Sequence, residues 1–582
     1  MIKSVLIANR GEIAVRVIRG ARELGIHTIG VYSEIDRASM HVAMADEAWN
    51  IGPAPAAESY LNIERILEVA QEAKAEAVHP GYGFLAENAT FAQAVLDAGL
   101  IWVGAPPDAI TMMGDKISSR HAADAAGVPT VPGTAEPVTE ASVVAAFGDE
   151  HGYPLTIKAA HGGGGRGMRV VRSGDEIPAA LESAAREADA YFANSEVYVE
   201  KYLENARHIE AQVLFDTHGA GVFLGERDCS IQRRHQKLIE EAPASVFDPE
   251  TRAAFGEAAV AMGRQAGYVG AGTVEFLVVD HAFYFLEMNT RLQVEHPVTE
   301  MTTGIDLVHQ QFRVAAGEPL ETTDTPQARG HAIEFRINAE NPATGFLPDP
   351  GTIIEYQAPD GFGVRVDSWV GPGTAVSQYY DNLMAKLIVW GRDRTEALAR
   401  GKRALNEFRI SGVATTIPAH LRIIEHPAFV DSEHHTKTVE DDLDFSDIAV
   451  PTAPAVPEDE ELSERSLTVE IGGRHYQVRV WAPEMTAHPD RREAPRRRPP
   501  RLDRLAAATG GDPGVVTAPM QGTIVKVSKK AGDPVAVGDS ICVLEAMKME
   551  NDLKSQVSGE IVDLRVQPGD TVAAGQVVAV VR

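Results

Sequence analysis

The sequence predicts a multidomain α/β protein: a parallel-sheet N-terminal region, a mixed α+β body, and a small all-β flattened barrel over residues 514–582. Three observations carry that expectation. A β-α-β pattern opens the chain, strand and helix patterns mix around a glycine cluster at residues 162–167, and an internal repeat runs through residues 522–581.

Residues 4–8 are an apolar run of strand length. Ile13, Val17, Ile18, Ala21 and Leu24 then recur on one helical stripe, and His27 to Val31 return to strand character. Strand, helix and strand in that order favour a parallel sheet. The first turn, Asn9-Arg10-Gly11-Glu12, lacks G-x-G-x-x-G and so reads poorly as a dinucleotide site. Strand and helix patterns alternate to about residue 110, and mixed elements continue to about residue 445. Ala449 to Glu464 is rich in Pro, Ala and acid, which is linker chemistry. Leu467 to Val480 alternates around Gly472-Gly473 and predicts a β-hairpin. Residues 482–513 hold seven arginines, Arg491, Arg492, Arg496, Arg497, Arg498, Arg501 and Arg504, which mark either a docking site or a solvated tether.

Composition bounds the function. At 582 residues the chain has room for roughly three to five domains. It carries 54 Lys and Arg against 83 Asp and Glu, a net charge of −29. That balance argues against nucleic acid and anionic membranes as partners. The two cysteines, Cys229 and Cys542, cannot make a disulfide framework and fit a reducing compartment. No apolar run near the N-terminus reads as a signal peptide, and no uncharged stretch reaches the roughly 18 residues a bilayer requires. The expectation is a soluble cytoplasmic protein.

In the last region, Gly522-Thr-Ile-Val-Lys-Val, Gly532-Asp-Pro-Val and Ile541-Cys-Val-Leu align with Gly559-Glu-Ile-Val-Asp-Leu, Gly569-Asp-Thr-Val and Val578-Ala-Val-Val. Two such halves can close into a flattened barrel with quasi-twofold symmetry, burying both apolar faces and leaving little free edge. The joint between the halves is Glu545-Ala546-Met547-Lys548-Met549. An amine on such a tip is accessible to a modifying ligase. With Ala518-Pro519-Met520, this joint resembles the biotinyl domain family over residues 514–582. The resemblance implies biotin amide-linked to Lys548, installed by a biotin protein ligase.

In the body, Lys158 precedes Gly162-Gly163-Gly164-Gly165-Arg166-Gly167, and Lys116 follows Met113-Gly114-Asp115. Glycines at that density let backbone N–H groups approach phosphate oxygens, although no P-loop spacing is present. Glu275 and the run Glu287, Asn289, Arg291, Gln293, Glu295 follow. The run alternates, so on a strand its members would share one face. Such a face is costly to bury unless it binds something. Glu275, Glu287 and Asn289 offer hard oxygen donors suited to Mg²⁺ or Mn²⁺ on nucleotide phosphates.

Residues 1 to about 447 resemble biotin carboxylase, an ATP-grasp enzyme. The resemblance rests on Asn9 to Ala14, His79 to Asn88, Glu226 to Lys237 and Glu287 to Pro297, with His161 standing where many members carry serine. It implies five regions: an N-terminal domain at 1–112, an ATP-grasp domain at 113–330 with a lid at about 131–203, a C-terminal domain at 331–447, a linker with hairpin at 448–513, and the biotinyl domain at 514–582. It also implies roles. Lys116, Lys158, Gly164, Gly165, His208, Gln232 and His235 would contact ATP, and Glu200, Lys201 and Leu203 would frame the adenine. Glu275, Glu287 and Asn289 would hold two divalent ions. Lys237, Arg291, Gln293 and Val294 would hold bicarbonate, Glu295 would be the base, and Arg336 would meet the biotin ureido oxygen. Bicarbonate and ATP would give carboxyphosphate, and then carboxybiotin on the Lys548 arm.

The stretch 448–513 is far too short for a carboxyltransferase. The resemblance therefore implies a separate β subunit and an acyl-CoA carboxylase α subunit of the actinobacterial type, with homo- and hetero-oligomers. Acetyl-CoA and propionyl-CoA, as in fatty acid biosynthesis, are the leading acceptors, and methylcrotonyl-CoA is the alternative. An ATP-grasp ligase acting on an amine, and a degenerate nucleotide-sensing scaffold, are the rival readings.

Overall fold

In the computed structural model, the described residues are 2–449 apart from 135, 160–167 and 193–195, the strands at 462–471 and 474–483, and 514–582 apart from 520–521, 547–548 and 573–574. They fall into two units, Met1–Val450 and Pro451–Arg582.

The first unit opens as the apolar pattern predicts. Strands β1 (Ser4–Ile7), β2 (His27–Ser33), β3 (Glu47–Gly52), β4 (Ala77–His79) and β5 (Ile101–Trp102) form one sheet in the order β3-β2-β1-β4-β5, all pairs parallel. Val5, Leu6 and Ile7 are buried on both faces, as a parallel strand between helices requires. The helix Gly11–Glu23 follows β1 directly and buries Ile13, Val17, Ile18 and Ala21. Arg10 at its start is locked to Asp36 at 2.6 Å, with its guanidinium over the Trp369 and Tyr380 rings. The first turn thus fastens the parallel sheet to the C-terminal part of the same unit.

A small antiparallel sheet stands next: β6 (Leu155–Ala159), β7 (Arg169–Val171) and β8 (Val197–Lys201), in the order β7-β6-β8. It has its own core of Leu155, Ile157, Val171, Val197 and Val199. The expectation of strands on both sides of the glycine cluster holds; Gly164 and Gly165 themselves lie outside the described residues.

The large sheet carries the site. Its strands are β9 (Arg207–Phe215), β10 (Gly221–Arg233), β11 (Gln236–Ala242), β12 (Gly270–Val279), β13 (Ala282–Asn289), β14 (His331–Asn338), β15 (Val364–Ser368) and β16 (Leu383–Gly391), in the order β13-β12-β9-β10-β11-β14-β16-β15. Every pair is antiparallel. Two-residue turns at Arg234–His235 and Asp280–His281 join β10 to β11 and β12 to β13. All four turn residues have positive φ, the geometry whose twist matches flanking strands.

In the second unit, Leu462–Ile471 and Arg474–Pro483 pair as an antiparallel hairpin, so the strand begins inside the stretch that composition assigns to the linker. Composition misses it because an alternating strand can also be polar. The last region forms two four-stranded sheets. Gly522–Val527 pairs with Thr571–Val572, and its repeat partner Gly559–Leu564 pairs with Pro534–Val535. Each repeat half therefore lends its short strand to the other half's sheet, and Ile524, Ile541, Leu544, Ile561 and Val578 are buried between them.

Candidate active site

Strand alternation decides which side chains meet. On β9, His208, Glu210 and Gln212 are all buried and point to one face. Register then sets Glu275 of β12 opposite Glu210, and Glu287 of β13 opposite Glu275. A row of carboxylates results, crossing three strands. A lysine neutralises it: Lys237 Nζ donates to Glu210 at 2.6 Å, Glu275 at 3.0 Å and Glu295 at 2.6 Å. His208 Nε2 lies 3.0 Å from Glu275. Arg227, fully buried, donates to Glu210, Gln212, Thr273 and Thr299 and holds the far side of that row.

The residues after Asn289 depart from expectation. Strand β13 ends at Asn289, and residues 290–295 form an irregular segment leading into the helix His296–Thr303. The five alternating polar residues therefore do not share a strand face. Pro297 explains the change: it lacks a backbone donor and suits the first turn of a helix. The segment still converges. Arg291 donates to Glu87 at 2.7 Å, Gln293 at 2.8 Å and Asn289 at 3.0 Å, and Gln293 donates to Glu275 at 2.8 Å. The Val294 carbonyl accepts from buried Lys386 at 2.9 Å. Arg336 on β14 bridges Glu240 at 2.5 Å and Glu295 at 2.9 Å.

Electrostatics follow from this packing. Burial alone would raise the Glu295 carboxyl, but Lys237, Arg336 and Arg227 override it and hold it well below the usual carboxylate range. Glu287 goes the other way: burial and the neighbouring Glu275 raise its carboxyl. The Asn289 amide nitrogen is buried without a partner. Lys237 and His208 already hold Glu275, and Arg291 holds the Asn289 oxygen, but the Glu275–Glu287 repulsion is not relieved, so this set of hard oxygen donors fits Mg²⁺.

The expected nucleotide residues divide. Lys158 on β6 pairs with Glu200 on β8 at 2.5 Å, and Arg120 pairs with the same carboxylate. Lys116 starts the helix Lys116–Ala125, and burial and Lys158 lower its pKa. Lys116 lies near Lys158 with its charge disfavoured, so added anionic charge there is welcome, which fits a nucleotide polyphosphate. The Lys201 ammonium is spent on the carbonyls of Gly152 and Tyr153. Leu203 follows β8, half-buried. Gln232 is buried on β10, and His235 occupies the turn to β11. Lys548 lies outside the described residues; the flanking strands Ser540–Ala546 and Met549–Lys554 pair, with Ala546 opposite Met549.

Sequence reasoning did not single out Glu210 or Glu240. The period-two run His208-x-Glu210-x-Gln212 inside an apolar strand was the available signal for the first, and the acids of Leu238-Ile239-Glu240-Glu241 for the second.

The chain matches four family models: "Biotin carboxylase, N-terminal domain" over residues 1–110, "Carbamoyl-phosphate synthase L chain, ATP binding domain" over 115–323, "Biotin carboxylase C-terminal domain" over 334–441, and "Biotin-requiring enzyme" over 514–581. It is 48% identical to the biotin-dependent acyl-coenzyme A carboxylase alpha3 subunit of Mycobacterium leprae, covering 100% of this chain and 99% of that one. It is 51% identical to biotin carboxylase 1 of Bacillus subtilis, over 76% of this chain and 98% of that one. Among solved structures, the biotin carboxylase domain dimer of Hydrogenobacter thermophilus 2-oxoglutarate carboxylase, with MgADP, ADP and bicarbonate, is 47% identical with a TM-score of 0.72, over 76% of this chain and 97% of that one.

Proposed function

The chain belongs to the biotin carboxylase family, an ATP-grasp ligase with its own biotin-requiring domain that uses biotin, ATP and Mg²⁺, and from that premise we propose that it carboxylates biotin held on Lys548 and delivers the carboxyl group to a separate carboxyltransferase β subunit. The observation that supports this reading best is the placement of Glu295: a buried carboxylate clamped between Lys237 and Arg336.

Lys237 holds three carboxylates, so an incoming bicarbonate can exchange for one of them without leaving any charge unpaired. Arg291, already ringed by Glu87, Asn289 and Gln293, presents a fixed fork to the same anion. As Lys237 turns to bicarbonate its hold on Glu295 weakens, and the base strengthens at the moment it is needed. Glu295 then takes the bicarbonate proton, and the anion attacks the γ-phosphorus of ATP, expelling ADP and giving carboxyphosphate. Lys116 and Lys158 balance the phosphate charge. Glu275, Glu287 and Asn289 would hold a divalent cation, which would supply further charge neutralisation. Biotin, when present, would supply the ureido nitrogen that takes the carboxyl group from carboxyphosphate, with phosphate leaving and carrying off the nitrogen's proton. Arg336 would face the ureido oxygen.

Glu295→Gln keeps the shape and removes the base. Bicarbonate-dependent ATP cleavage should fall on the order of 10²-fold or more, with ATP affinity retained. Ordinary turnover in that variant would sink the assignment.

The acceptor is an acyl-CoA, which the name of the Mycobacterium leprae relative supports; acetyl-CoA and propionyl-CoA are the acceptors we favour, with methylcrotonyl-CoA as the alternative. The β subunit docks on residues 462–505, and the carboxylase unit self-associates. Co-purification with the native β subunit, then a panel of acyl-CoAs, tests both. A deletion of 462–505 that leaves co-purification intact would refute the docking site.

A further inference from the structure

The chemistry proposed above leaves a buried acid beside Arg336 unused. Glu240 on β11 is fully buried, its Oε1 accepts from Arg336 Nε at 2.5 Å, and its Oε2 has no hydrogen-bond partner. The same guanidinium reaches Glu295 through Nη2 at 2.9 Å. One cation is therefore divided between the base and a carboxyl outside the substrate contacts. Across the β11–β14 rung Glu240 pairs with Glu334, and both carboxyl oxygens of that residue are also buried without partners.

The charged and titratable groups facing Glu240 come from every neighbouring element. Arg336 and Glu334 come from β14, and Glu295 from the segment before the helix His296–Thr303. Lys237 lies on β11 itself, Cys229 on β10, and Lys386 on β16 opposite Arg336. Burial raises the Glu240 carboxyl to about 7 in spite of Arg336. The guanidinium has three ways to turn: to Glu295, to Glu240, or to a substrate oxygen. An anionic Glu240 anchors the Nε side while Nη2 holds Glu295, which leaves Nη1 to face the cleft. A neutral Glu240 loses that grip, and the guanidinium swivels about its existing Glu295 contact, out of line with the cleft.

We propose that Glu240 is a positioning residue for the carboxylation of biotin: as a carboxylate it anchors Arg336 so that the guanidinium faces the ureido oxygen, and it takes no part in bicarbonate activation. This rests on the reading of Arg336 given above.

The test uses the full chain with free biotin as acceptor. In Glu240→Gln, bicarbonate-dependent ATP cleavage without biotin and the KM for ATP should stay within about threefold of wild type. Biotin-dependent turnover should fall by roughly tenfold to a hundredfold, the cost of a misplaced orienting group. The wild-type kcat/KM for biotin should rise with pH through a limb near 7, and the variant should lack that limb. Glu240→Asp, which keeps the charge, should keep it. Equal losses in both half-reactions, or an unchanged biotin limb, overturn the proposal. Should Glu240→Gln lose ATP binding altogether, Glu240→Asp decides: a retained limb supports the anchor, and a missing one overturns it. Arg336→Gln separates the two readings. If it leaves the biotin reaction intact, the role of Arg336 fails; if it abolishes that reaction while Glu240→Gln does not, only the present inference fails.

Discussion

Lys237 touches three carboxylates inside a nearly dry site, an arrangement that hydrophobic residues of equal volume would often match or exceed in stability. Its persistence makes sense as stored binding capacity: ions already desolvated and oriented can be exchanged for a substrate anion with little reorganisation. The same physics acts at Glu340, where no catalysis is involved. Its carboxyl accepts from Asn382 at 2.7 Å, and burial raises it to about 7. The folded-state value exceeds the unfolded one, so this group costs nothing well below pH 4.5 and its cost grows to full size as pH rises through 7. Glu340→Gln should therefore be more stable than wild type at pH 8, by on the order of 1–3 kcal/mol, and nearly equal to it at pH 4.5. Denaturant melts at the two pH values measure the difference, and an equal shift at both would contradict it.

Elements decide what these residues meet. The helix Pro249–Gln265 presents Phe255, which is fully buried and packs against Phe247, Phe276 and Phe283 at ring-centroid distances of 5.0, 4.6 and 5.4 Å. Phe276 stands next to Glu275 on β12 and points to the opposite face. One strand thus carries the aromatic core on one side and the site acids on the other. Phe255→Ala should cost about 3–5 kcal/mol, read as a shift in the urea midpoint. The acids should keep their register in the surviving fold, so ATP affinity below the melting range should stay within about threefold. A selective loss of ATP binding without loss of stability would show that the aromatic cluster steers the site directly.

At the scale of the whole molecule, the carboxylase and the biotin-requiring domain belong to separate units, Met1–Val450 and Pro451–Arg582, joined by a stretch rich in Pro, Ala and charge. Tethering raises the local concentration of the loaded domain to the millimolar range without adding any contact. Expressed apart, the two units should still react. Carboxylation of the biotinylated carrier should fall roughly 10²-fold or more at micromolar carrier and rise linearly with its concentration. A rate independent of carrier concentration, or no reaction at saturation, would show that the linker does more than tether.

The βαβ opening, the repeat around Lys548, the glycine cluster and the acids near residue 290 were all legible in the sequence, because each is a local pattern: a period, a turn or a spacing. The chain by itself therefore settled the fold class and pointed to residues proposed to meet a phosphate, a cation or biotin. Strand register lay beyond it. The pairing of Glu210 with Glu275, of Glu240 with Glu334, and of each repeat half with the other's short strand depends on contacts far apart in sequence. So does the sharing of one guanidinium between Glu240 and Glu295. Alternation tells which side of a strand a residue takes. Only the closed sheet, where a one-residue slip would turn every acid to the other face, decides which residue it will meet there.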